Sequence, residues 1–263
     1  MSKLKIIQLT DMHIFHDANK ELLGVNTHLS FQAVLSLMFN QEENIDAIFL
    51  SGDLTQDGAS TSYFKLASML AFLKMPIYVM PGNHDNEKNL LSTYPIGPIK
   101  TDRQVFFNKW QIITLNSQKP GAVEGFIDEE ELTYLDQALK DYPDHHAIVM
   151  LHHQPVDVGS RWLDRLGVRN KPAFWDIIKR YPHLKLVLFG HVHQVFEQKE
   201  NGIWCYSTPS TCIQFKPKER DFALDFLPPG YRWIDLNDDG TWETGVKRCA
   251  QYIGRFDADA KGY

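Results

Sequence analysis

Ile77-Tyr78-Val79-Met80-Pro81-Gly82-Asn83-His84-Asp85 is an apolar run that stops on a cluster of metal-binding side chains. Four other segments of the chain end the same way. Leu4–Leu9 leads into Asp11-Met12-His13, and Ala47–Leu50 into Gly52-Asp53. Ile148–Leu151 leads into His152-His153, and Leu184–Phe189 into Gly190-His191-Val192-His193. Short apolar runs rich in β-branched residues read as buried strands. Strands whose ends converge on one point would gather two aspartates, an asparagine and several histidines, a donor set suited to two divalent metals that share a ligand.

The spacing supports that reading. Asp11 and His13 are two apart, as are His191 and His193, and residues i and i+2 at a strand end point the same way. Gly52, Gly82 and Gly190 each stand directly before a candidate ligand, where glycine permits positive φ and close approach of the backbone. The ligands would then lie at the carboxyl ends of the strands, the usual binding edge of an open α/β sheet. Imidazole, carboxylate and one amide without thiolate suit Fe, Mn, Co or Zn. A carboxylate bridges two cations naturally, and Asp53 is the strongest candidate. Two divalent ions, two aspartates and a bridging hydroxide leave a charge of about +1, which attracts a phosphodiester anion. Taken singly, each motif has an ordinary reading as a turn or strand end. Five in series do not.

Between the strands lie amphipathic stretches, the alternation of an α/β fold. Ser30–Glu42 places Ala33, Val34, Leu37 and Met38 on one helical face. Ser60–Leu73 does the same with Tyr63, Phe64, Ala67, Leu70 and Ala71. Asp128, with Glu131 three residues on, is an N-cap for a helix to about Tyr142. Pro172–Tyr181 is a further helix, stopped by Pro182. Strands are expected at Gln104–Phe107 and Gln111–Leu115. After Gly202 the pattern changes to β-ribbons, Ile203–Ser207, Tyr231–Leu236 and Thr241–Lys247, with a turn at Asp238-Asp239-Gly240. No repeat or low-complexity linker interrupts the chain. A single domain over residues 1–263 is expected, with a metal-binding core at about 4–195, a β-rich part at about 203–247 and a loose polar tail at 251–263.

With 263 residues and 43% hydrophobic residues the chain has ample core. Its net charge of −6 argues against a partner gripped through nucleic-acid phosphates, though not against a small phosphorylated substrate. The three cysteines, Cys205, Cys212 and Cys249, have no CxxC spacing, fit a reducing compartment, and are expected to pack as small apolar residues. No signal-like or membrane-spanning stretch is apparent, so a cytoplasmic location is expected. His16, His28, His145, His146, His153 and His183 are read as surface or loop residues. The oligomeric state is open.

At the ligand motifs the chain resembles the calcineurin-like metallophosphoesterase superfamily. That superfamily's pattern D-x-H, G-D, G-N-H-[DE], H, G-H-x-H is matched in full across roughly residues 4–193. The resemblance implies a four-layer α-β-β-α sandwich of two mixed sheets flanked by helices. It implies one metal held by Asp11, His13, His193 and bridging Asp53, and a second held by Asp53, Asn83, His152 and His191. Leu22–Thr27, Ser160–Asp164, Thr208–Pro217 and Pro229–Arg232 are similar to the bacterial class III 3′,5′-cyclic-AMP phosphodiesterases of the Icc/CpdA type, a similarity spanning nearly the whole chain.

The implied reaction is hydrolysis of 3′,5′-cyclic AMP to 5′-AMP by a metal-bridging hydroxide. His84 would be the catalytic acid, with Asp85 holding its tautomer. Asn83, His84, Arg161, Trp162, Asn170 and Ser210 are the candidate substrate contacts. Trp162 is placed to stack a purine and Asn170 to pair with its edge. The competing readings are a phosphoesterase for glycerophosphodiesters, 2′,3′-cyclic nucleotides or phosphomonoesters, a nuclease, and a non-catalytic binding module. The complete ligand set weighs against the module, and the acidic balance against the nuclease.

Overall fold

Alternation along the first strand sets how the layers stack. In Lys3–Leu9, Leu4 and Ile6 join one apolar cluster while Ile7 and Leu9 join another, so the strand is buried on both faces. The computed structural model describes residues 3–250 together with Asp257, Ala260 and Gly262; the remainder of the 251–263 tail lies outside the described residues.

The amino-terminal half contains β1 (Lys3–Leu9), β2 (Glu21–Leu22), β3 (Val25–Asn26), α1 (Thr27–Gln41), β4 (Ala47–Ser51), α2 (Ser60–Leu70), β5 (Ile77–Met80) and α3 (Glu87–Thr93). Next come β6 (Ile99–Lys100), β7 (Gln104–Phe107), β8 (Trp110–Thr114), α4 (Glu129–Asp141), β9 (His146–Leu151), α5 (Arg161–Asp164), α6 (Lys171–Ile178) and β10 (Leu184–Phe189). The chain closes with β11 (Phe196–Glu200), β12 (Ile203–Ser207), β13 (Gln214–Phe215), β14 (Leu224–Asp225), β15 (Gly230–Asn237) and β16 (Trp242–Arg248).

Two mixed six-stranded sheets result, ordered β16-β15-β1-β4-β5-β6 and β11-β12-β10-β9-β8-β7. In the first, β1, β4, β5 and β6 run parallel, β15 runs antiparallel to β1, and edge strand β16 runs antiparallel to β15. In the second, β8, β9, β10 and β12 run parallel, edged by antiparallel β7 and β11. The sheets face each other across Ile6, Phe49 and Met80 on one side and Trp110, Ile148, Met150 and Leu188 on the other. Residues of α1 and α2 cover the outer face of the first sheet through Phe31, Val34, Met38, Tyr63 and Leu66. Those of α4 and α6 cover the second through Leu135, Leu139, Phe174 and Ile178. The four-layer α-β-β-α sandwich is as expected. Each fully buried aromatic or aliphatic side chain in these layers contributes roughly 1.5–3 kcal/mol.

Several boundaries differ from the sequence pattern for local reasons. Helix α1 starts at Thr27 because the Asn26 side chain accepts from Leu29 N (2.9 Å) and caps it. It buries Phe31 and Leu35 alongside Val34 and Met38, leaving Ala33 and Leu37 at the flank. Helix α2 ends at Leu70, and Phe64 and Ala71 are exposed because the buried stripe runs through Leu66 instead. Asp128 caps α4 through Glu131 N (2.8 Å), as its spacing predicts. Helix α6 begins at Lys171 and stops at Ile178. The carboxy-terminal ribbons are built into the sandwich rather than appended: β12 adds to β10, and β15 adds to β1. No helix among the described residues is long and apolar enough to cross a membrane.

Candidate metal centre and active site

The loops after β1, β4, β5, β9 and β10 meet at one end of the sandwich, and all five carry candidate ligands. Hydrogen bonding continues past the strands. Asp11 N donates to Gly52 O (3.1 Å), His13 N to Asp53 O (3.0 Å) and Ile14 N to Leu54 O (3.1 Å). Gly190 N donates to His152 O (3.0 Å), and His191 N to both oxygens of Asp11 (3.1 and 3.2 Å). Asp11, His13, Asp53, His191 and His193 all have positive φ, between 46° and 65°. Such a conformation costs a residue with a Cβ about 1–2 kcal/mol, and clusters of it mark functional sites. Of the three glycines before ligands, Gly52 has positive φ. Gly82 and Gly190 instead supply room: a Cβ there would lie 2.3 Å from Asp53 N and 2.1 Å from Thr10 Oγ1.

Asp11, His13, Asp53, His152, His191 and His193 are buried together. His193 Nε2 lies 3.2 Å from Asp11 Oδ1, His152 Nε2 3.2 Å from Asp53 Oδ2, and His13 Nε2 3.8 Å from Asp53 Oδ2. The tautomers follow from the opposite ring nitrogens. His13 Nδ1 donates to Gln56 Oε1 (2.7 Å), His152 Nδ1 to Ser51 O (2.8 Å) and His193 Nδ1 to Ile213 O (2.9 Å). The Nε2 lone pairs of His13 and His193 therefore face each other at 3.3 Å. Asn83 Oδ1 and both ring nitrogens of His191 are buried without a hydrogen-bond partner, and Asp53 Oδ2 and His152 Nε2 have only each other, at 3.2 Å. Opposed lone pairs and orphaned acceptors are unfavourable unless cations lie among them. The donors fit divalent metals, and Asp11, Asp53 and His152 have coordinating atoms close enough to share one, as do His13, Asp53 and His84.

Charge at the cluster is strongly perturbed. Burial alone would raise the carboxyls of Asp11 and Asp53, but neighbouring imidazoles outweigh it: His193 and His152 lower Asp11, and His152 and His84 hold Asp53 well below the usual value. Burial lowers His13 to about 3. His152 shows the reverse, since Asp53 and Asp11 overcome burial and raise it to about 9. Metal binding at His152 would displace a proton.

A cavity of about 340 Å³ opens beside the cluster, and its lining includes Asn83, His84, His191, Trp162, Phe215 and Phe222. His84 packs edge-on to His13, and its backbone N donates to Asp53 Oδ1 (2.9 Å). Trp162 lines this cavity; Arg161, Asn170 and Ser210 do not. Arg161 is exposed. The Asn170 amide is engaged at both ends by the Ile127 backbone. Ser210 is buried, and its hydroxyl donates to Asp11 O (2.8 Å).

Asp85 departs from its expected role. Its carboxylate accepts from Leu54 N, Thr55 N, Gly82 N and the Tyr63 hydroxyl, at 2.9–3.2 Å, and makes no bond to His84. Burial, and then Asp53, raise it to about 6. It fastens the turn that carries His84. His153 is also corrected: it is fully buried, accepting from the Ser117 hydroxyl at Nδ1 (2.8 Å) and donating from Nε2 to Val123 O (3.1 Å). Both ring nitrogens are thus in use. Sequence reading passed over Gln56, and Gln118, whose amide donates to the carbonyls of Gly82 and Asp85. Neither lies in a recognisable pattern. Cys212 is buried, as expected of a small apolar residue, although its thiol lies near His13 and His193.

Comparison with known proteins agrees with this geometry. Residues 4–195 match the calcineurin-like phosphoesterase family. The 3′,5′-cyclic adenosine monophosphate phosphodiesterases CpdA of Vibrio vulnificus and Escherichia coli are each 38% identical over 263 residues, covering 100% of this chain and 96% of theirs. That of Pseudomonas aeruginosa is 36% identical, covering 98% and 94%. Among solved structures, a dimetal phosphatase from Danio rerio superposes with a TM-score of 0.63 at 12% identity, covering 94% of this chain and 99% of its own. GAP50, the anchor in the inner membrane complex of Plasmodium, gives 0.64 at 14% identity, covering 98% and 90%. A fold shared with an anchor does not by itself decide chemistry; the ligand set and the full-length relatives do, and the chain belongs to the calcineurin-like phosphoesterase family.

Proposed function

We propose that the chain is a 3′,5′-cyclic-AMP phosphodiesterase that forms 5′-AMP with two divalent ions bound. The observation that carries hydrolysis is the buried ligand cluster, with its orphaned coordinating atoms, opening into a pocket beside Asn83 and His84. The substrate assignment is supported by full-length similarity to the CpdA enzymes. One ion would be held by Asp11, His13, His193 and Asp53, and the other by Asp53, Asn83, His152 and His191. The nitrogen and oxygen donors suit Fe or Mn, with Zn or Co as substitutes. When bound, such ions neutralise phosphoryl charge and acidify water.

The protein's own groups supply the rest. The carboxylates of Asp11 and Asp53 would hold the ions, and the Nδ1 contacts of His13, His152 and His193 keep their Nε2 atoms aimed inward. Water oxygen bonds to phosphorus and gives up a proton to solvent as the P–O3′ bond breaks, and the His84 imidazole delivers a proton to the departing O3′ and regains one from solvent. His84 is positioned for this by the Asp53 carboxylate on its backbone N and by the turn that Asp85 and Gln118 fasten. The three buried, free cysteines agree with a reducing, cytoplasmic setting.

Hydrolysis by protein reconstituted with Fe²⁺ and Mn²⁺ tests the proposal, comparing 3′,5′-cAMP, 2′,3′-cAMP, bis(p-nitrophenyl) phosphate and p-nitrophenyl phosphate. A kcat/KM highest for 3′,5′-cAMP is expected. Turnover of the synthetic diester with little on 3′,5′-cAMP would keep the phosphodiesterase and overturn the substrate.

A further inference from the structure

His153 stands directly after a candidate ligand at the end of β9, and its buried ring is spent on another part of the chain. Ser117–Phe126, in the connection from β8 to α4, is a loop whose ends meet, Phe126 N donating to Ser117 O (3.0 Å). It folds around that imidazole. A carbonyl only accepts, so His153 Nε2 carries the hydrogen and donates to Val123 O (3.1 Å). Nδ1 then accepts from the Ser117 hydroxyl (2.8 Å), whose oxygen accepts in turn from His153 N (3.2 Å). Gly125 lies against the ring itself: a Cβ there would be 2.5 Å from His153 Cγ and 2.8 Å from Nδ1. Among the described residues, the other hydrogen bonds of residues 119–124 stay inside the loop, Ala122 N to Lys119 O (3.0 Å) and Lys119 Nζ to Glu124 Oε1 (3.1 Å). Val123 is 49% exposed, so its side chain packs too little to hold the loop down. The span between Gln118 and Gly125 therefore hangs on the bond from His153.

What the loop borders gives the anchor a use. Val123 lines the cavity beside the metal centre together with Leu166, Asn83, His84 and His191. The flanks of the loop are tied to the same surroundings. Gln118 donates to the carbonyls of Gly82 and Asp85, in the turn that carries His84. Gly125 N donates to Leu166 O (3.4 Å), and its carbonyl accepts from Arg169 N (2.8 Å). Resting on the phosphodiesterase reading above, we propose that His153 is a positioning residue which seats the Ser117–Phe126 loop as a wall of the substrate pocket. It lies close to His152 and His191, but both its nitrogens are engaged, so it is an anchor and not a further metal ligand. A loop seated only part of the time weakens apparent affinity in proportion to the seated fraction, while bound substrate restores the seated form. Losing the anchor thus raises KM and leaves kcat nearly as it was.

The test is a pair of variants that each keep one contact, since an Asn amide reaches the place of Nδ1 and a Gln amide that of Nε2. His153→Gln keeps a donor for Val123, and His153→Asn loses it. Kinetics use the metal-loaded full chain on whichever of 3′,5′-cAMP and bis(p-nitrophenyl) phosphate the wild type turns over. His153→Asn should raise KM about tenfold, as for a loop seated about a tenth of the time, with kcat within about threefold. Its metal content should match wild type, and His153→Gln should restore most of the affinity. A glutamyl endopeptidase reads the loop without substrate: cleavage after Glu124 should be about tenfold faster in His153→Asn, because it follows the open population. Gly125→Ala, which pushes the loop off an intact ring, should behave as His153→Asn does. Equal KM in His153→Asn and His153→Gln, a KM rise that tracks loss of metal, or unchanged cleavage after Glu124 would overturn the anchor while leaving the phosphodiesterase reading intact. Wild-type protein that turns over neither diester would overturn that reading and the pocket role with it.

Discussion

Adding one methyl group at Gly82 should empty or disable the metal centre. A Cβ there would lie 2.3 Å from both the backbone N and Oδ1 of Asp53, and 2.8 Å from His152 Nε2, where ordinary contact begins at 3.4 Å. The deficit is about 1 Å, and the opposing atoms are poorly free to retreat. The Asp53 carbonyl accepts from His13 N, and its Oδ1 accepts from His84 N. Asp53 would have to move by most of that ångström, carrying the proposed shared ligand and the His84 backbone along. Misplacement of that size costs on the order of 10²-fold in rate, and overpacking costs roughly 1–3 kcal/mol. Gly82→Ala should therefore lose at least one metal by elemental analysis, or lose about 10²-fold in kcat on bis(p-nitrophenyl) phosphate if both remain. Gly97→Ala is the control, because its φ is +56° but its Cβ would meet nothing within 4 Å; it should strain the backbone and leave the centre untouched. A Gly82→Ala enzyme with two metals and kcat within threefold of wild type would refute the steric account.

His84→Ala should lower kcat by about 10²–10⁴, the usual worth of a general acid, with metal content unchanged; loss of metal would instead make His84 a ligand. Asp85→Asn puts an amide NH₂ in place of one carboxylate oxygen, against either Leu54 N and Gly82 N or Thr55 N, and should cost roughly 1–3 kcal/mol of stability. The pH at which kcat falls should stay in place, and a shifted limb would restore Asp85 as the partner of His84. At Glu42, burial favours the neutral acid, but hydrogen bonds from Lys247, Lys5 and Tyr231 outweigh it and hold the carboxyl below its ordinary 4.5. Its stabilisation is complete above the unfolded value and is lost as pH falls through the folded one. Urea titration should thus show Glu42→Gln weaker by about 1–2 kcal/mol at neutral pH, with the gap closing in acid; a constant gap would refute the linkage. Stripping the metals should lower Tm, since an ion at a hundredfold its dissociation constant adds about 2.7 kcal/mol per site. Metal-free protein that melts where the loaded protein does would show that the ions leave folding untouched.

The strands that carry the centre were legible because β1, β4, β5, β9 and β10 are buried on both faces, which leaves nearly uninterrupted apolar runs ending abruptly in polar ligands. What was not legible came from loops meeting across long separations. Gln56 meets His13 across 43 residues, and Ser117 meets His153 across 36. No periodicity announces such pairs. Nearness in sequence also misled. Asp85 adjoins His84, yet its side chain turns back to Leu54 and Thr55 in the loop after β4. Asn170 follows a ligand strand closely, but its amide closes on Ile127, and Phe222 lines the pocket from a loop that reads as ordinary surface.

The glycines show why a correct pattern can carry a different physical meaning. Glycine before a ligand suggests a turn that only glycine can make, yet the ligand residues themselves take most of the left-handed conformations here. They have to, because a residue proposed to coordinate a metal cannot give up its side chain. The ladder bonds running from Asp11, His13 and Ile14 to Gly52, Asp53 and Leu54 fix those turns from outside. With strain borne by the ligands, Gly82 and Gly190 are left a steric task, letting one loop's backbone press against the next loop's carboxylate or hydroxyl. Gly-Asn-His and Gly-His-x-His thus signal loops packed too closely for any Cβ. It is that closeness which brings candidate ligands from two different sheets within one ion's reach.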